Sequence, residues 1–208
     1  MSFASRERIA VFDGLLRLIH AWNALAIVAL VATGLIAEEY KHSATGADLW
    51  RLHIQFGYAL IGGIVARLVW GLIGPTSARW SDLWHPQAWL AFLQALPRIA
   101  LPQPRRGHDT LASGVFIALY LVLFGMAFTG LALAAIKHNM GPLTPWLGDS
   151  IWLKHLFKEP HEFMYGLVAG FIGLHLAALL WHQRFGKAPV AQAMLTGNQY
   201  LTTGENHA

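Results

Sequence analysis

Residues 161–182 read HEFMYGLVAGFIGLHLAALLWH. Apart from Glu162 and three histidines the stretch is almost wholly apolar, and its length exceeds the roughly 20 residues that a helix needs to cross a bilayer. Within it His161 and His175 are 14 residues apart. At about 100° per residue they return to nearly the same helix face, roughly 21 Å apart along the axis. Ionisable side chains inside a membrane are costly, so both histidines are functional candidates from the outset.

Three further stretches are long and apolar enough to span, at about 16–36, 53–74 and 112–136. The first exceeds the 7–15-residue apolar core of a signal peptide and is followed by no clear small-residue cleavage site, so it reads as a retained helix. The composition agrees with four spans: 208 residues, 55% hydrophobic and only 12% charged, with a mean hydropathy of +0.43. The expected fold is all-α, an integral membrane four-helix bundle built as one domain over residues 1–208. Twenty glycines and nine tryptophans fit close helix packing and interfacial anchoring. No internal repeat or low-complexity run stands out.

The chain has no cysteine, which excludes disulfides, thiolate-held iron–sulfur clusters and covalently attached c-type haem within it. A pI near 9.6 does not point to nucleic acid, because the basic residues lie in short connections beside apolar spans. Arg6, Arg8, Arg17, Arg79, Arg98, Arg105, Arg106, Arg184 and Lys187 flank one side, against Lys41, Arg51, Lys137, Lys154 and Lys158 on the other. Nine against five places both termini in the cytoplasm. Trp80, Trp84 and Trp89 mark residues 80–98 as a segment lying at the interface, and residues 188–201 are weakly amphipathic and suited to the inner surface.

In this topology His20 lies near the inner end of the first span and His53 near the outer end of the second. The fourth span enters from outside, so His161 is outer and His175 about four turns deeper. The depths match in pairs: His53 with His161, and His20 with His175. Each pair suits bis-imidazole ligation of a haem, which leaves no open iron position and favours electron transfer. Gly57, Gly166, Gly170 and Gly173 give clearance for a flat macrocycle, or serve helix packing alone. Arg17 and Arg67 are candidates to neutralise haem propionates, with snorkelling to headgroups as the alternative. His108 and His182, at the inner boundary, are competing ligands or parts of a quinone pocket. His42, His85, His138, His155 and His207 receive no role.

At this point the chain resembles a family, the bacterial cytochrome b561 family, which includes the cytochrome b subunit of membrane-bound nickel–iron hydrogenases. The resemblance runs through Arg17-Leu18-Ile19-His20, Leu52-His53 with Gly57-Tyr58, and the run from Arg67 to Pro75. It continues through Gly107-His108, Thr129-Gly130, the helix from His161-Glu162 to Gly173-Leu174-His175, and Ala193-Met194-Leu195-Thr196-Gly197. Many relatives carry Trp directly after the first ligand, where this chain has Ala21 before Trp22.

The resemblance implies a protein with two non-covalent b-type haems on the four histidines. It would pass electrons between a periplasmic redox partner, either a hydrogenase or a c-type cytochrome, and the quinone pool. A homodimer is compatible with it. Outside the resemblance stand two other readings: a proton or ion translocator with a histidine relay, and a non-redox membrane anchor. The first predicts a polar path, but the first and third spans carry few carboxylates or hydroxyls at intermediate depth.

Overall fold

A computed structural model describes residues 6–87, 89–90, 110–185 and 191–202. Among these, four long helices carry the fold: α1 (Gly14–Glu39), α2 (Ala44–Ile73), α3 (Thr110–His138) and α4 (Lys154–Phe185). All four contain a stretch long and apolar enough to cross a membrane. The fold is an all-α membrane helical bundle.

The helices overrun the apolar stretches that reveal them. α2 begins at Ala44 rather than near 53, and α4 at Lys154 rather than at 161. Polar outer turns continue a helix without adding to its hydropathy, so apolar length alone under-reads it. Pro160 lies inside α4, directly before His161, where its missing N–H removes one helical hydrogen bond.

Helix starts are fixed by side-chain caps. The Asp13 carboxylate accepts from the Leu15 and Leu16 amides at 3.0 and 2.9 Å, which caps α1. The same oxygen accepts from the Trp70 indole at 3.1 Å. In the tight connection before α2, the Ser43 hydroxyl donates to the Tyr40 carbonyl at 2.8 Å and accepts from the Gly46 amide at 3.1 Å. Between α3 and α4 the chain reverses through Asn139 (φ 51°) and Gly141 (φ 96°), then makes one helical turn at Thr144–Leu147. A side chain at 141 would be strained by that backbone and would meet the Tyr58 hydroxyl.

The described residues fall into two compact units. One comprises residues 19–67 and 118–170. Its buried residues include the small Ala26, Ala37, Ala132 and Ala135 alongside Leu60, Ile64 and Leu123, while Leu25, Leu121 and Phe163 are exposed. That distribution suits a lipid solvent, in which helices associate through small residues and turn large apolar side chains outward.

The other unit comprises residues 1–18, 68–117 and 171–208. Here a short helix, α5 (Ala191–Thr196), leads through Gly197 (φ 81°) into a strand, β2 (Asn198–Thr202). That strand pairs antiparallel with β1 (Arg6–Ala10), in a register that sets Arg8 opposite Tyr200. The Gly197 carbonyl accepts from the Val11 and Phe12 amides at 2.8 and 3.2 Å. Segments from near the two ends of the sequence are therefore joined, which an even number of spans permits. The sequence does not suggest this ribbon.

Of the expected interfacial segment, residues 80–87 and 89–90 are described and 91–98 lie outside the described residues. Trp80 donates to the Leu68 carbonyl at 3.2 Å and covers Gly71, and Trp89 donates to the buried Ser113 hydroxyl at 3.3 Å. Trp84, by contrast, is exposed.

Candidate haem site

Within the unit formed by residues 19–67 and 118–170, a cavity of about 300 Å³ is lined largely by aliphatic side chains. That is the lower end of the volume of small-molecule sites. His53 from α2 and His161 from α4 both line it, and the two helices present equivalent positions to it. Each contributes its histidine and the residues one, four and seven places further on: Ile54, Gly57 and Leu60 from α2, and Glu162, Tyr165 and Val168 from α4.

The two imidazoles are braced in the same way. His53 Nδ1 lies 3.0 Å from the Leu30 carbonyl and 3.3 Å from Thr33 Oγ1. His161 Nδ1 lies 2.9 Å from Thr129 Oγ1, and the ring has a further hydrogen-bond partner in the Met126 backbone. The threonine hydroxyls spend their own protons on the preceding turn, Thr33 on the Ala29 carbonyl at 2.6 Å and Thr129 on the Gly125 carbonyl at 2.8 Å. Each hydroxyl is thereby left as an acceptor, and each imidazole must place its proton on Nδ1. The lone pair is then on Nε2, available to a metal.

Gly34 and Gly130, the residues after these threonines, make the close approach possible. A Cβ at 34 would stand 3.3 Å from His53 Cε1, and one at 130 would stand 3.2 Å from His161 Cε1. Both glycines line the cavity, as does Gly57, where a Cβ would meet nothing within 4 Å. Gly166, Gly170 and Gly173 do not line it.

Charged groups gather along part of the same wall: Glu38, Lys137, His138, Lys158 and Glu162. Lys158 pairs with Glu162 at 2.8 Å, and Lys137 lies 5.0 Å from the Trp50 ring centroid. Trp50 in turn meets His53 edge-on at 5.4 Å and is 6.2 Å from His138. The sequence alone gives His138 no role, counts Lys137 only toward topology and does not single out Trp50.

Two imidazoles with engaged Nδ1 atoms, opening on an aliphatic, glycine-relieved cavity with cationic groups in its wall, fit an iron porphyrin. No group of three or more His, Cys, Asp or Glu side chains suited to a bare metal ion occurs among the described residues. A family model described as prokaryotic cytochrome b561 matches residues 11–197. The chain belongs to the prokaryotic cytochrome b561 family. As a member of the cytochrome b561 family it is a multi-pass bacterial membrane b-type cytochrome.

Relatives of this cytochrome carry the name probable Ni/Fe-hydrogenase B-type cytochrome subunit. That of Azotobacter chroococcum is 26% identical over 170 residues, covering 72% of this chain and 65% of its own length. That of Bradyrhizobium diazoefficiens is 24% identical over 221 residues, covering 93% and 87%. That of Rhizobium leguminosarum is 27% identical over 227 residues, covering 97% and 92%. This cytochrome thus spans just under two thirds of the length of the Azotobacter relative. No solved structure is significantly similar to it.

The remaining candidates lie elsewhere. His20 is exposed on α1, in the unit that holds the cavity, and His175 is half-buried on α4 in the other unit, stacked on Phe171 at 5.6 Å. Arg17 donates to the Leu195 carbonyl at 2.6 Å. Arg67 is only 4% exposed and hydrogen-bonds Tyr120. His108 lies outside the described residues, as does the side chain of His182.

Proposed function

We propose that this chain is a diheme cytochrome b that carries electrons across the bacterial inner membrane, between a redox partner in the periplasm and the quinone pool. The observation that carries the reading is the pair His53 and His161, each held with its Nε2 free on the wall of one aliphatic cavity. In this account they would hold the haem nearer the periplasm, and His20 and His175 would hold the haem nearer the cytoplasm. Both termini face the cytoplasm, and residues 1–208 act as one membrane domain.

When bound, haem iron exchanges one electron between its ferric and ferrous states. The protein's part is to hold the imidazoles, exclude water and set the surrounding dielectric. Lys137 and Lys158 stand on the cavity wall as counter-charges for the carboxylates of the first haem, and Arg17 and Arg67 serve the second. The partner follows from the relatives' name: a nickel–iron hydrogenase is the leading candidate, with a c-type cytochrome as the other.

The test is a dithionite-reduced minus oxidised spectrum of membranes expressing the wild type, His161→Ala and His175→Ala in ample haem. Each substitution removes one spectral component and leaves the other. Retention of both components in His161→Ala refutes the ligand assignment.

A further inference from the structure

Thr33-Gly34-Leu35 on α1 and Thr129-Gly130-Leu131 on α3 are two copies of one short sequence. Each copy meets one cavity histidine from the following long helix. The correspondence extends to the backbone: Leu30 and Met126, whose backbones hydrogen-bond His53 and His161, each stand three residues before the threonine. The glycine and the threonine act together. The glycine lets the imidazole lie against the helix, and the hydroxyl meets the Nδ1 that this approach delivers.

Resting on the ligation proposed above, we infer that Thr33-Gly34 and Thr129-Gly130 are a matched pair of positioning elements. They fix the tautomer and orientation of His53 and His161, and they lower the midpoint potential of the haem held there. The physical reason is that a hydrogen bond from Nδ1–H to an oxygen moves electron density toward Nε2. A more basic axial nitrogen favours the ferric over the ferrous state, and hydrogen bonding around the ligands is one of the levers by which a protein sets a haem potential. The Thr129 bond, at 2.9 Å, is shorter than that of Thr33, at 3.3 Å, so His161 responds more strongly of the two.

A potentiometric titration of the purified full-length protein, followed in the haem absorbance bands, tests this with Thr129→Val, Thr129→Ser and Thr33→Val. Valine keeps the shape and removes the hydroxyl acceptor, leaving only the backbone partner beside the ring; serine restores the hydroxyl. The midpoint of one haem rises in Thr129→Val, returns toward the wild-type value in Thr129→Ser, and rises by less in Thr33→Val, while the second haem does not move. Haem loss from Thr129→Val that serine repairs supports the same role. Unchanged midpoints in both valine variants, or a defect that serine does not repair, overturns it. His161→Ala separates the two levels of the argument. If it loses one haem while the valine variants titrate like wild type, the ligation stands and the positioning role falls. If it retains both haems, the ligation itself falls.

Discussion

The Thr129 hydroxyl lies 2.9 Å from His161 Nδ1, and the Thr33 hydroxyl lies 3.3 Å from His53 Nδ1. Helices α1 and α3 thus do for α2 and α4 the same service, each presenting a threonine and a glycine to one imidazole. The cavity lies among the four helix segments that carry these groups, all within one compact unit.

Gly34 and Gly130 have little room for change beside the imidazoles. Alanine at either position puts a methyl 3.2–3.3 Å from an imidazole carbon, closer than packed side chains normally approach. Overpacking of this kind costs about 1–3 kcal/mol. Gly130→Ala is expected to lower haem content per chain and to alter the low-spin electron paramagnetic resonance signal of the remaining haem. An unaltered signal at full haem content counts against the close approach.

Gly57 offers the opposite test. A Cβ there meets nothing within 4 Å, yet the residue lines the cavity, so a large side chain can enter the space meant for a cofactor without crowding the protein. Gly57→Phe is expected to insert and fold normally while losing the haem assigned to His53 and His161. Full haem loading in that variant would show that the cavity is not the haem's place.

Much of the fold is legible in the sequence because apolar length is a direct reading of membrane thickness. The four spans follow from it, and so does the pairing of His53 with His161 as candidates. The bracing of those histidines is written less openly. Thr-Gly-Leu occurs at 33–35 and again at 129–131, but a threonine in an apolar helix usually bonds its own preceding turn, and nothing in the sequence says that its lone pairs meet a histidine. A search for triplets repeated between apolar spans would have found it. The β1–β2 ribbon was hidden for another reason: two five-residue strands from opposite ends of the chain carry too little alternation to announce a pairing.

Asp13 ties two helices at once. Its carboxylate caps α1 through the Leu15 and Leu16 amides and receives the Trp70 indole of α2. Asp13→Ala removes the cap, at about 1 kcal/mol, and leaves the indole N–H without that acceptor. A lower midpoint in thermal unfolding of the detergent-solubilised protein is expected, with Asp13→Ser recovering the capping share. A melting curve that superimposes on wild type would mean that the cap contributes nothing measurable.

Gly141 is constrained twice, by its φ of 96° and by the Tyr58 hydroxyl in the path of any side chain. Backbone strain of this kind costs on the order of 1–3 kcal/mol. Gly141→Ala should therefore lower thermal stability, and adding Tyr58→Phe should recover part of the loss by removing the oxygen but not the strain. Full recovery in the double variant would assign the whole effect to the clash.

The central claim is that this chain carries two b-type haems, one on His53 and His161 and one on His20 and His175. Haem quantified per chain by the pyridine haemochrome method, on detergent-purified protein expressed with ample haem, tests it most directly. The account predicts about two b-type haems per chain. A single haem would remove the second pair from the account, and none would contradict it altogether.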